Sequence, residues 1–266
     1  MNAVPALRPL SFGEVLDVSI KIVVRSWRVL VPIALVIWLP VGVVVAAVLT
    51  AFSQIRVEQG AEPTTNDLET LIGGGTLLML AYVLGTLLAN GALFRAIGDA
   101  YLGARPTAGS SVRYAARRVH SLLWLSLLTA ILVGVGALAC VIPGIWLYAA
   151  SALGTPVLLT EGVRGFGAFR RSMDLVRGSW WRVFGLLIVA GILASIIQQI
   201  ITTLLGLVAG NGAAVQGIST VVGAAIPLPF TCAVTFVIYV DQRVRKEGFD
   251  LELLARSLDG AVGIDA

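Results

Sequence analysis

The sequence predicts an all-α membrane protein: six transmembrane helices arranged as three hairpins, with basic amphipathic interfacial helices on the cytoplasmic side. Three observations carry this reading. First, 58% of the 266 residues are hydrophobic and 13% charged, with a mean hydropathy of +0.92, a balance that excludes an ordinary water-soluble globule. Second, four long uncharged runs lie between Arg28 and Arg56, Glu69 and Arg95, His120 and Glu161, and Arg182 and Asp241. A hydrocarbon core of about 30 Å takes roughly 20 residues of helix, so the first two runs hold one span each and the last two hold two each. Third, all of the 19 Lys and Arg except Arg56 fall on one side of the resulting bundle. The positive-inside rule then places both termini in the cytoplasm.

Taken in order, residues 1–266 read as a single transmembrane domain. Ser11-Phe12-Gly13-Glu14 has the form of a capping box, which starts an interfacial helix over 11–28. In it Phe12, Val15, Leu16, Ile20, Val23 and Trp27 make one face, and Glu14, Asp17, Lys21, Arg25 and Arg28 the other. The first span, 29–52, carries Pro32 near its start and Pro40 inside, where a missing backbone donor predicts a kink. An acidic extracytoplasmic loop, 53–70, follows, with Glu58, Glu62, Asp67 and Glu69. The second span is 71–97, and Arg105-Pro106-Thr107 breaks the helix after it. A short basic amphipathic segment with Arg113, Arg117 and Arg118 leads into the third span, 121–142. Pro143-Gly144 predicts a tight turn before a fourth span at 145–160, which Pro156 bends. The fifth and sixth spans are 183–207 and 218–240, joined at Gly210-Asn211-Gly212, and Pro227 and Pro229 interrupt the last. A charged cytoplasmic tail, 241–266, ends the chain. No cleavable signal peptide is expected, since six charged residues precede the first apolar run.

Between the fourth and fifth spans, 161–182 reads as another interfacial helix carrying Arg164, Arg170, Arg171, Arg177 and Arg182. These arginines form a candidate binding site for anionic lipid headgroups, each basic residue near a charged membrane surface contributing about 1 kcal/mol. Topology signalling explains the cluster nearly as well. Phe166-Gly167 and Trp181-Arg182-Val183 stand at the same separation as Phe12-Gly13 and Trp27-Arg28-Val29, and Asp99, Glu161 and Asp241 each follow a pair of spans. The pattern is either that of three repeated hairpins or the periodicity that any six-span protein with interfacial helices shows.

A second candidate is the polar stripe Ser195, Gln198, Gln199, Thr202 and Thr203 inside the fifth span. Amides in hydrocarbon need partners, so the stripe either glues helices together or lines a hydrated path. No catalytic set accompanies either site. The lone His120 neighbours Arg117 and Arg118 at a membrane edge, and Cys140 and Cys232 lack metal-ligand spacing. No metal, no cofactor and no nucleic-acid partner is expected; the expected partners are membrane lipids, anionic above all, and a membrane or cytoplasmic protein.

Specific segments resemble a known family. Arg8-Pro9-Leu10-Ser11-Phe12-Gly13-Glu14-Val15-Leu16-Asp17, Ile142-Pro143-Gly144-Ile145-Trp146, Arg171-Ser172-Met173-Asp174-Leu175-Val176-Arg177-Gly178 and the stretch from Tyr239 to Asp250 resemble bacterial, mainly actinobacterial, integral membrane proteins. These belong to the glycerophosphoryl diester phosphodiesterase membrane domain family. The resemblance implies a stand-alone multi-span domain in the bacterial inner membrane. In fused members the phosphodiesterase chemistry sits in a separate soluble barrel, and no catalytic residue carries over to this chain. The expected function is therefore a non-enzymatic scaffold or anionic-lipid-binding module at the cytoplasmic face. The alternatives are a transporter or lipid-translocating module and a membrane subunit for a separate phosphodiesterase.

Overall fold

The computed structural model describes residues 8–55, 64–101, 103–104 and 106–248. Among them every regular element is a helix: α1 (Phe12–Ser53), α2 (Thr65–Tyr101), α3 (Ala108–Arg117), α4 (Val119–Ala139), α5 (Val141–Ser151), α6 (Gly154–Thr160), α7 (Phe166–Val176), α8 (Trp180–Ala209), α9 (Ala213–Ala225) and α10 (Pro227–Glu247). Six stretches are long and apolar enough to cross a membrane: α1, α2, α4, α5 with α6, α8, and α9 with α10.

The helix ends follow local chemistry. Ser11 caps α1 in a complete capping box: its hydroxyl accepts from the Glu14 N–H at 3.4 Å, and the Glu14 carboxylate accepts from the Ser11 N–H at 2.7 Å. Thr64 and Asp67 make the same reciprocal pair at the start of α2, so helix begins inside the stretch read as loop 53–70. Arg56, Glu58 and Glu62 of that loop lie outside the described residues. Ile226 and Pro227 part α9 from α10, as the prolines predict, because Pro227 at the first helical position forfeits no bond.

Four expectations meet a different backbone. No boundary separates an interfacial helix at 11–28 from a span at 29–52. α1 is one continuous helix of 42 residues running through Pro32 and Pro40. At 1.5 Å per residue it is about 63 Å long, twice the hydrocarbon thickness, and its charged first turns are the excess. Pro143-Gly144 is not the turn either. The chain turns at Cys140, which is extended (φ −169°, ψ 143°), and Pro143 sits in the first turn of α5, where no helical partner is lost. Gly144 instead lets α5 press on α4: a Cβ there would stand 2.8 Å from the Ala137 Cα. The fourth span divides at Ala152-Leu153 into α5 and α6. Finally, the tail predicted from residue 241 begins later. Asp241–Glu247 are the last two turns of α10, closed by Gly248 in the left-handed conformation (φ 62°), and Asp241 and Gln242 are buried. Residues 249–266 of that tail lie outside the described residues.

α10 is the centre of the bundle. From Phe230 to Val240 it is buried on nearly every side, which explains why its sequence shows no polar face. α1, α2, α7 and α8 pack around it, α1 also lies along α2 and α9, and α4 packs chiefly on α5. By contrast α2, α4 and α8 expose most of their apolar length, with Leu138, Leu207 and Val208 among the most exposed side chains. So much exposed hydrocarbon is stable only against lipid.

The Phe-to-Trp correspondence does not extend to the backbone. Phe12 and Trp27 lie on one unbroken helix, whereas Phe166 and Trp181 are divided by the turn at Arg177-Gly178, where Gly178 has φ 82°.

Candidate functional site

The segment 161–182, expected as one interfacial helix, is instead α7 between short connections, with Arg182 already in the first turn of α8, and contacts with α10 sort its five arginines into two groups. α7 buries Ala168, Phe169, Ser172, Leu175 and Val176, while Phe166 is exposed. Ser172 fixes α7 to the break in the fourth span: its hydroxyl donates to the Ala150 carbonyl (2.7 Å) and accepts from the Leu153 N–H (3.1 Å). Both backbone groups lie where the break between α5 and α6 interrupts the helical ladder, and a buried backbone group needs a partner.

Two of the arginines are bound within the protein. Arg171 donates through Nε to Glu161 at 2.8 Å and through Nη1 to Glu247, and Arg243 donates to Glu247 at 3.0 Å. Tyr239 completes this group by donating its hydroxyl to Glu161 at 2.8 Å. The hydrogen bond to Glu247 raises the Arg171 pKa against the opposing effect of burial, and Glu161 raises it further, so this guanidinium stays charged. Arg182 belongs to a second group around Asp241, whose side chain is 1% exposed. The Asp241 carboxylate accepts from the Leu10 N–H (2.8 Å), Arg245 (2.9 Å) and Arg182 (3.2 Å), while both arginines also donate to the Leu10 carbonyl. The N-terminal segment is thereby tied to α10. Ser179 donates to Gln242 at 2.6 Å, and Lys246 caps the end of α7 by donating to the Asp174 carbonyl at 2.7 Å and to that of Arg177.

The other three, Arg164, Arg170 and Arg177, are exposed and make no side-chain hydrogen bond or ion pair among the described residues. Sequence reasoning singled out all five arginines as equals and passed over Glu161, Tyr239, Asp241 and Gln242 as site residues. One signal was present: Asp241 to Arg245 and Arg243 to Glu247 are both at spacing four, which marks continuing helix rather than tail. His120 is exposed at the start of α4. No group of three or more His, Cys, Asp or Glu able to hold a metal ion occurs among the described residues.

The polar stripe of α8 also divides. Ser195 and Thr202 donate to the carbonyls of Ile192 and Gln199, and Gln199 donates to Thr203 at 3.2 Å, so these polar groups are satisfied largely within the helix. Gln198 and Thr202 face α9 and line a cavity of about 340 Å³ whose walls come from α1, α2, α8, α9 and α10. Trp38, Gln216, Ser219 and Thr231 also line it. Asn90, which accepts from the Cys232 thiol at 3.3 Å, and Gln199 do not.

In comparisons with known proteins, no family model, no curated protein and no solved structure matches the chain. The fold defines its class by itself: among the described residues it is all-helical, with six stretches able to span a membrane.

Proposed function

We propose that the protein is a non-enzymatic, multi-pass inner-membrane protein that binds anionic lipid headgroups at the basic surface of α7 and serves there as a scaffold. One observation carries this reading. Arg171 and Arg182 are spent on holding α7, α10 and the N-terminal segment together, which leaves Arg164, Arg170 and Arg177 as exposed cations with no side-chain partner among the described residues. Three such charges beside an anionic bilayer contribute about 3 kcal/mol, roughly a hundredfold in affinity at low salt. The proposal keeps both termini cytoplasmic and α7 at the interface. It also keeps the kinship with stand-alone membrane domains that the sequence resemblance implies.

Replacing Arg164, Arg170 and Arg177 together by Gln leaves insertion and melting temperature unchanged but strips phosphatidylglycerol from the purified protein, as lipid mass spectrometry will register. Arg171→Gln does the reverse, lowering the melting temperature because Glu161 and Glu247 lose one of the two arginines they share. Undiminished phosphatidylglycerol on the triple variant overturns the proposal. Orientation is checked with single cysteines at Lys21 and Asp67 in a cysteine-free background: an impermeant thiol reagent added outside should reach only the second. A transporter reading draws on the cavity, but Gln199 and Asn90 lie outside its walls, and lipid binding is the reading preferred.

A further inference from the structure

We infer that Arg95, Tyr114 and Arg118 form a clamp at the membrane edge for a phosphate monoester. The clamp uses none of the exposed arginines of α7. It shares with the proposed function only the placement of this end of the bundle at the membrane surface, an end common to both because Tyr114 reaches Leu159, just before Glu161.

The three side chains come from two helices and the junction after them. Arg95 stands near the end of α2, Tyr114 on α3, and Arg118 is the residue at which α3 gives way to α4 (φ −111°, ψ 7°). Tyr114 is held in place from two sides. Its hydroxyl donates to the Leu159 carbonyl at 2.8 Å, and next to it in α3 Ala115 lies so near Gly91 of α2 that a Cβ on the glycine would stand 3.1 Å from the alanine Cβ. The ring then serves two cations: the Arg118 guanidinium lies 4.4 Å from its centroid and that of Arg95 5.0 Å. A guanidinium stacked on a ring gives up its face and keeps the N–H fork at its edge, the part that recognises phosphate.

Two guanidiniums against one ring repel each other, and the protein supplies little to offset them. Arg95 has one carboxylate partner, Asp99 at 3.1 Å. Arg118 has none: its half-buried side chain makes no hydrogen bond or ion pair among the described residues. The sequence holds no acidic residue between Asp99 and Glu161, whereas Arg113 and Arg117 add exposed cations on α3. Arg171 and Arg182 differ in this respect, since each finds a carboxylate on α10.

Charge and donor geometry together choose the ligand. A carboxylate or a phosphodiester brings one negative charge and two free oxygens, enough for one fork. A phosphate monoester brings three oxygens and about −1.5 to −2 charges at pH 7, so it answers both forks at once and competes with Asp99 for Arg95. The monoester arrives on a lipid, as in phosphatidic acid, or free in solution, and the chemistry of recognition is the same.

The test places the full-length protein in phosphatidylcholine nanodiscs doped in turn with phosphatidic acid, a monoester, and phosphatidylglycerol, a diester of the same chains, and counts bound lipids by native mass spectrometry. Phosphatidic acid should be retained about tenfold more tightly, and Arg118→Gln should abolish that preference while phosphatidylglycerol still binds. Arg118→Lys keeps the charge but not the fork and should also lose the preference, which leaves a second variant if the first does not fold. Arg113→Gln removes one cation from α3 and should leave the preference intact. Replacing the three exposed arginines of α7 bears on phosphatidylglycerol alone, so failure of the α7 reading and failure of the clamp appear in different lipids. Displacement of phosphatidic acid by millimolar inorganic phosphate assigns the natural monoester to solution, and retention against it assigns the monoester to a lipid; both support the clamp. Equal retention of the two lipids by the unaltered protein overturns it, as does an equal loss in Arg113→Gln and Arg118→Gln, the mark of a diffuse basic surface.

Discussion

Asp241→Ala is expected to lower the unfolding free energy by about 3–5 kcal/mol, on the order of 10 °C in melting temperature, the largest effect of any single polar substitution in the protein. Its carboxylate is 1% exposed and answers two guanidiniums and the Leu10 N–H. Alanine would leave Arg182 and Arg245 facing each other across a half-buried space, with one further deficit already present, since the Arg182 Nε has no acceptor. Breaking a buried pair from one side costs more than the pair contributes, because the remaining charge has lost its water and its partner together. Asp241→Asn keeps the shape and one acceptor oxygen and should lose roughly half as much. The effect also has a location. Leu10 is held by this group and by little else polar, so limited proteolysis should cut ahead of Phe12 in the variant well below its melting temperature. An unchanged melting temperature together with unchanged cleavage would show that the contacts around Asp241 carry no net energy.

Gly42→Ala should be nearly as damaging, at about 2–4 kcal/mol, although it adds only a methyl group. The contact of α1 with α9 is the most extensive between any two helices, and at its centre Gly42 crosses Gly217. A Cβ on Gly42 would lie 2.6 Å from the Gly217 carbonyl oxygen and 2.4 Å from a Val221 methyl, and a Cβ on Gly217 would lie 2.5 Å from the Gly42 carbonyl oxygen. Backbone cannot yield as a flexible side chain can, so the helices must separate and forfeit dispersion contacts along the whole crossing. In lipid nothing replaces them, because hydrocarbon gives two helices no hydrophobic reason to associate. Gly73→Ala and Gly75→Ala are the controls. Both glycines have open space where a Cβ would go, and helix propensity makes alanine there neutral or slightly stabilising. Unfolding each variant in graded sodium dodecyl sulfate orders the three substitutions, and a Gly42→Ala midpoint equal to the Gly75→Ala midpoint would refute the close crossing.

Much of the fold was legible in the residues themselves. The capping box at Ser11, the break before Pro227 and the six apolar stretches appear where the sequence puts them, since each is decided within a few residues by backbone hydrogen bonding or by hydropathy. The turn at Cys140 was not legible. Pro143-Gly144 carries the turn signal, but a proline is equally at home in a helix's first turn, and only the approach of α5 to α4 reveals why the glycine is there. The same holds for Asp241, which reads as the start of a tail until its partner Leu10 is found 231 residues away.

By itself, then, the sequence determined that this chain lives in a membrane and how many apolar stretches can cross it, because hydropathy acts residue by residue. Only the tertiary structure decided which of five similar arginines are paired inside the protein and which stay exposed, and that Trp38, Gln198 and Gln216 line one cavity. Those outcomes depend on which helices pack side by side. The five walls of the cavity come from helices as far apart in the chain as α1 and α10, and no local pattern records that they meet.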